Sequence, residues 1–404
     1  MADKGESFIR VPAILKFAEQ VKFAETYGFS GSQGLTILEG QRLMPKDRPS
    51  KTIYLFMHPS STLHLLPMPT ALADHGLHVL CAASRYPKND SALIMEKVAI
   101  DMGAWVRWAR EDCGYEKVIL VGWSGGGSLS LFFQAQAEQP TITHTPAGDE
   151  VDLTRAGLQP ADGIIFIAAH LSRAETLTEW SDPSVTNELN PDERDLELDI
   201  YNPKCPHQPP FDKPFVAAFR AAQVARNRRI TAWSQELLEK LKQRGTAEVE
   251  RAFCVHRTMC DPRWIDTTVD PNDRKPNWCY LGDPRVANSA PAGLGRYSSL
   301  RSWLSQWSYD LSNARGPQNA ARIRRTPVIQ IENSADDAVP APHNPIIHAA
   351  LATPDKEHVR IKGATHYYLG QPEQLAQCIE TVVDWSARKR LLADRPVVAR
   401  PPAG

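Results

Sequence analysis

The chain has 404 residues, 42% of them apolar, and a formal net charge of −1. That length allows one large or two modest domains with a substantial core. The near-zero charge excludes the basic footprint of a nucleic-acid binder and a polybasic membrane-binding surface. Seven cysteines, odd in number and scattered, suit a reducing cytoplasm better than a disulfide framework. The opening residues Met1-Ala2-Asp3-Lys4-Gly5-Glu6 are polar and lead into no apolar signal-peptide core. No apolar run approaches the roughly 18 residues of a bilayer span. Cys254, His256, Cys260 and Cys279 lack the paired spacing of a structural zinc site and read as thiols and one surface histidine, so no metal is expected.

Taken in chain order, Pro12 to about Tyr27 has helical apolar spacing (Ile14, Phe17, Ala18, Val21, Ala24), and Pro12 suits a first helical turn. Gly34 to Gly40 reads as a short strand with a turn. Thr52–Met57 and Leu77–Ala82 are nearly continuous apolar runs, as expected of strands buried on both faces of a parallel sheet. Gly76 is placed to end a preceding helix. Ser91 to Arg110 has helical periodicity, with Ile94, Val98, Trp105 and Ala109 on one face. Further buried strands are expected at Lys117–Val121, Asp162–Ala168, Pro327–Ile331 and Val359–Ile361. A last helix carries Leu375, Ile379, Val382 and Val383. Strands alternating with helices imply a mostly parallel sheet with helices on both faces, an α/β fold.

The segment 172–325 breaks this rhythm. It is rich in proline around Asn202–Pro210 and polar and aromatic around Trp264–Asn288, with one clear helix at Ile230–Lys242 carrying Trp233, Leu237 and Leu241 on one side. It falls near the carboxyl edge of the sheet, where α/β sites lie. It is therefore expected to be a cap over the site, the alternative being a surface for oligomer contacts. The expected organisation is a core of residues 1–171 and 326–392, a cap of 172–325, and a flexible, proline-rich tail of 393–404.

Gly122-Trp123-Ser124-Gly125-Gly126 follows the strand at Lys117–Val121 and precedes the helical Ser128–Phe133. Strand, tight turn and helix is the setting in which G-x-S-x-G exposes a nucleophilic serine. A serine hydroxyl needs a base, normally a histidine oriented by a carboxylate, in the chain order Ser, Asp or Glu, His. Asp336 is the first choice of acid, in a D-x-x-V-P arrangement with Pro340, and Asp337 and Glu332 are alternatives. His366, in Gly363-Ala364-Thr365-His366-Tyr367, follows the next strand, 30 residues after Asp336. An oxyanion hole needs two donors. Gly125 N–H is one. In the loop His58-Pro59-Ser60-Ser61, Pro59 has no N–H, which leaves Ser60, or else Ser61. His58, Trp123 and Tyr367 are candidate substrate contacts, with His58 also suited to supporting its loop.

Together these pieces resemble the α/β-hydrolase superfamily over about residues 35–170 and 326–390. The matching parts are the His58-Pro59-Ser60 loop, the Gly122–Gly126 elbow, the Asp336–Pro340 acid loop and the Gly363–His366 base loop. Two departures stand out: Pro59 where a glycine is usual, and Ser84-Arg85-Tyr86-Pro87 where many members carry an acidic turn. The resemblance implies a Ser124–His366–Asp336 triad cleaving an ester-like acyl bond with no cofactor. Carboxylic esters, lactones, thioesters and amides are not separated by it. Carbon–carbon bond hydrolysis, acyl transfer and a non-catalytic binding role are the alternatives. The aromatic residues Trp264, Trp278, Tyr280, Tyr297, Trp303, Trp307 and Tyr309 either line an apolar pocket for a small-molecule substrate or form the cap's own core. Arg226, Arg228 and Arg229 read as a solvated helix face, the alternative being recognition of an acidic substrate. Homo-oligomerisation is left open.

Overall fold

The computed structural model describes residues 7–19, 34–46 and 48–392. Its centre is an eight-stranded sheet in the order β1-β2-β4-β3-β5-β6-β9-β10. The strands are β1 (Phe8–Ala18), β2 (Leu35–Pro45), β3 (Thr52–Met57), β4 (His78–Ala82), β5 (Lys117–Ser124), β6 (Gly163–Ala169), β9 (Val328–Asn333) and β10 (Lys356–Ile361), with the small pair β7 (Ala252–Cys254) and β8 (Tyr297–Ser299) set apart. The run from β4 to β10 is parallel, and β2 joins it antiparallel.

The core strands form where the sequence is continuously apolar because both faces are covered. Along β3, Ile53, Leu55 and Met57 meet one apolar layer and Tyr54 and Phe56 the other. The alternation follows from the two-residue repeat of a strand. The first layer contains Val98 and Trp105 of helix α2 (Met95–Glu111), and Leu129 and Phe132 of α3 (Gly125–Glu138). The second contains Met68 and Leu72 of α1 (Pro67–Asp74), with Ile379, Val382 and Trp385 of the C-terminal helix Pro372–Arg388. Each such side chain, fully buried, contributes about 1.5–3 kcal/mol. Helix α1 stops at Gly76 (φ 89°), whose N–H and that of Leu77 bond back to Ala73 O and Leu72 O.

The N-terminal expectation is corrected. Residues 8–18 form a strand, not the start of a helix, pairing antiparallel with β2 along its whole length. The edge position explains Pro12, since an edge strand tolerates a missing N–H, and explains the exposure of Ile9 and Ile14. The rest of that expected helix, from residue 20 on, and the tail 393–404 lie outside the described residues. Strand β2 is longer than expected, reaching Pro45.

Between β6 and β9 runs a long insertion. It holds α4 (Arg173–Trp180), α5 (Lys213–Arg244) and several short helical turns. Ser172 caps α4, accepting from Glu175 N, and Asp212 caps α5, accepting from Phe215 N at 2.7 Å. Helix α5 begins well before Ile230. Its inward face carries Ile230, Leu238 and Leu241, while Trp233 turns outward onto Phe253. The insertion has its own apolar clusters, one around Leu177, Trp303 and Trp307, another around Trp180, Trp264 and Cys279. Cys260 is buried in a third, and Cys254 is exposed. Arg226 is not solvated. It is buried, forks onto Glu188 at 2.7 and 2.8 Å and donates to the carbonyls of Asp182, His256 and Arg257. Among the contacts that tie the insertion to the core, Ser305 Oγ accepts from Met95 N and donates to Glu96, and Arg173 pairs with Asp90. Among the described residues no helix is long and apolar enough to cross a membrane.

Candidate active site

Strand β5 ends on Ser124, and α3 starts on the next residue. Ser124 takes φ 53° and ψ −126°, a backbone state that a residue with a side chain rarely adopts. The sharp turn needs close backbone approach: a Cβ on Gly122 would come within 2.9 Å of Gly127 Cα and 3.0 Å of Gly126 O. The turn puts the Ser124 hydroxyl at the carboxyl edge of the sheet, 8% exposed.

His366 reaches this point from the loop after β10. Its Nε2 lies 3.1 Å from Ser124 Oγ, and its Nδ1 lies 3.0 and 3.1 Å from the two carboxylate oxygens of Asp336. Asp336 comes from the loop after β9. Its Oδ1 also accepts from Ala338 N at 2.8 Å and Val339 N at 2.7 Å, which fixes the carboxylate. The loop that carries His366 is braced separately: Gln371 accepts from Thr365 N and donates to Gly363 O, and Asn333 donates to Thr365 O. The alternatives lie elsewhere. Glu332 faces His358 and Arg360. Asp337 is raised to about 6 by burial and by the neighbouring Asp336 charge, and makes no contact with His366 comparable to that of Asp336.

The loop after β3 differs from expectation. The N–H groups of Ser60 and Ser61 both donate to His58 Nδ1, at 3.2 and 3.0 Å. Ser60 N–H is therefore turned to the imidazole and away from the role of oxyanion donor. Gly125 N–H, the first amide of α3, has no acceptor within its helix.

Ser124 opens into a cavity of about 420 Å³, which His58, Trp123 and Tyr367 also line. The Trp123 indole N–H donates to His366 O at 3.2 Å, and its ring lies 4.7 Å from the imidazole, so this residue also holds the loop that carries His366. Of the insertion aromatics named from the sequence, Tyr280 lines the cavity. Trp264, Trp303 and Trp307 pack inside the insertion, and Trp278 and Tyr297 are largely exposed.

Among the cavity residues that sequence reasoning missed are the charged or imidazole-bearing Lys88, Asp90, His170 and Arg173. Arg173 is buried, donates to Asp90 at 2.7 Å and to Gln306 at 3.1 Å, and stacks on Trp307. His170 is held neutral, its pKa pushed well down by burial and by His343 and His366. Its position directly after β6, at the carboxyl edge, was the available signal. The cavity lining thus mixes aromatic and charged side chains. The loop at Ser84–Pro87 also folds in its own way, with Arg85 buried and bonded to Asp101 and Glu19.

No protein-family model matches the chain, and no curated protein matches its sequence. Solved structures do match. DcsB, solved in complex with a substrate analogue, has 13% identity and a TM-score of 0.51, over 96% of this chain and 100% of its own. The alpha/beta hydrolase GrgF from Penicillium sp. sh18 has 11% identity and a TM-score of 0.49, over 95% and 99%. The monoacylglycerol lipase of Paleococcus ferrophilus has 14% identity and a TM-score of 0.43, over 87% and 99%. At such identities the likeness concerns the path of the chain.

Proposed function

From the α/β-hydrolase fold, which this chain has, we propose that it is a serine hydrolase cleaving an ester-like acyl bond of a small molecule. The observation that carries the reading is the unbroken hydrogen-bond chain from Ser124 Oγ through His366 to Asp336. In the proposed reaction Ser124 Oγ attacks the acyl carbon while His366 Nε2 takes its proton. His366 Nδ1–H donates to Asp336, which stabilises the imidazolium. Gly125 N–H supports the developing oxyanion. His366 then passes the proton to the leaving group, and water releases the acyl group by the same steps reversed. The strained Ser124 backbone is consistent with this role, because strain of this kind collects at functional sites.

Residues 172–325 are read as a cap, since Arg173, Trp180, Tyr280 and Leu294 cover the cavity from the insertion. The substrate is read as a small molecule with an apolar or aromatic part against Trp123, Trp180 and Tyr280. Lys88, Asp90 and Arg173 in the same lining favour a substrate that also carries a polar or anionic group.

The test is a panel of aryl esters and thioesters of varied acyl length, with and without a terminal carboxylate, assayed against wild type and Ser124→Ala. Hydrolysis that is lost in Ser124→Ala supports the reading. An inert wild-type protein that still binds these compounds would replace it with a binding role on the same fold.

A further inference from the structure

The loop that should supply a second backbone donor has none to give. Pro59 has no N–H, and the amides of Ser60 and Ser61 are both spent on His58 Nδ1, at 3.2 and 3.0 Å. A nitrogen accepting two N–H groups carries no proton, so the proton of a neutral imidazole must sit on Nε2. The ring is neutral: it is buried, and burial, Arg173 and His366 all oppose a positive charge on it.

That Nε2–H makes no hydrogen bond to any described residue, and His58 lines the Ser124 cavity. It also lies against the nucleophile turn. A Cβ on Gly125 would come within 2.5 Å of His58 Nε2 and 3.1 Å of Cδ2. Glycine at 125 makes room for this imidazole beside its own N–H, the first donor of the proposed oxyanion hole.

We propose that His58 is a catalytic residue: its Nε2–H, paired with Gly125 N–H, forms the oxyanion hole in place of a loop amide. The inference rests on the serine-hydrolase reading. As the Ser124 Oγ–C bond forms, the carbonyl π pair moves onto oxygen and the hydroxyl proton passes to His366 Nε2. The new oxyanion accepts from Gly125 N–H and His58 Nε2–H. No proton leaves His58, because its imidazole stays neutral throughout. The two serine amides aim the ring and fix its tautomer, as an acid aims a catalytic imidazole.

The direct test is a crystal structure of the wild-type protein with a trifluoromethyl ketone added to Ser124. The inference expects the ketone oxygen about 3 Å from both Gly125 N and His58 Nε2. An oxygen bonded instead to Ser60 or Ser61 N, with His58 Nε2 out of hydrogen-bonding reach, overturns it. Kinetics supply a second arm. His58→Leu, which removes the donor, is expected to lower kcat on the best aryl ester by about 10²–10³-fold with KM within about threefold. Gly125→Ala, which displaces the ring without removing it, is expected to fall in the same direction. Wild-type turnover with a kcat for His58→Leu within threefold of it overturns this inference alone, whereas absent wild-type turnover overturns the hydrolase reading beneath it.

Discussion

At the residue scale, adjacent carboxylates make opposite predictions. Asp336 accepts from His366 and from two loop amides, so its charge is bound where imidazolium would form. Asp336→Asn is expected to lower kcat by about 10³–10⁴-fold, seen in ester hydrolysis. Asp337 sits beside it, raised to about 6, so folding favours its protonated form. A carboxyl whose folded pKa lies above its unfolded value leaves the protein less stable as pH rises through the window from about 4 to about 6. Asp337→Asn is therefore expected to keep most of the activity and to raise Tm at pH 7, with the gain fading below pH 4. Thermal unfolding at both pH values checks it, and a gain at pH 4 equal to that at pH 7 would contradict it. The sequence ranked these two acids from spacing to Pro340. It could not separate them by charge, because the amides of Ala338 and Val339 bond to Asp336 only once the loop has folded. Likewise the text showed that Pro59 has no donor, but not that His58 turns the next two amides to itself.

At the element scale, what was legible followed burial. Strands β3, β5, β6 and β9 are covered on both faces, so their apolar runs stand out from any register. Strand β1 was misread because an edge strand exposes alternate apolar residues, and Ile14, Phe17 and Ala18 fit a helical repeat as easily. Helix α5 was found but mis-phased, since its buried side mixes Arg226, Asn227 and Ser234 with leucines and has little apolar contrast. The same reasoning predicts where elements fail. Gly122→Ala must push the nucleophile turn open, because Gly127 Cα and Gly126 O already occupy the space of a Cβ. It is expected to cost about 1–3 kcal/mol in denaturant unfolding and most of the activity. Ser305→Ala leaves Met95 N and the buried Glu96 short of a partner at the join between α2 and the insertion. A loss of about 1–3 kcal/mol is expected, and a change under about 0.5 kcal/mol would show that water replaces the hydroxyl.

At the scale of the whole molecule, the parallel sheet collects residues far apart in sequence at one rim. β5 delivers Ser124, β9 leads to Asp336 and β10 to His366, while β3 leads to His58 and β6 to His170. This convergence was readable because the order of strands and loops limits which residues can meet. The insertion's presence was readable too, but its internal packing was not, because its contacts are polar and long-range, such as Arg173 with Asp90 and Arg226 with Glu188. Its aromatics were ambiguous for the same reason: Trp264, Trp303 and Trp307 pack within the insertion, whereas Tyr280 faces the cavity.

The most direct measurement treats the native protein with a fluorophosphonate and maps the adduct by mass spectrometry, alongside His366→Ala. We expect one adduct, on the Ser124 hydroxyl, that disappears in the variant. An unlabelled Ser124 in the native protein, or labelling that survives the loss of His366, would contradict the account.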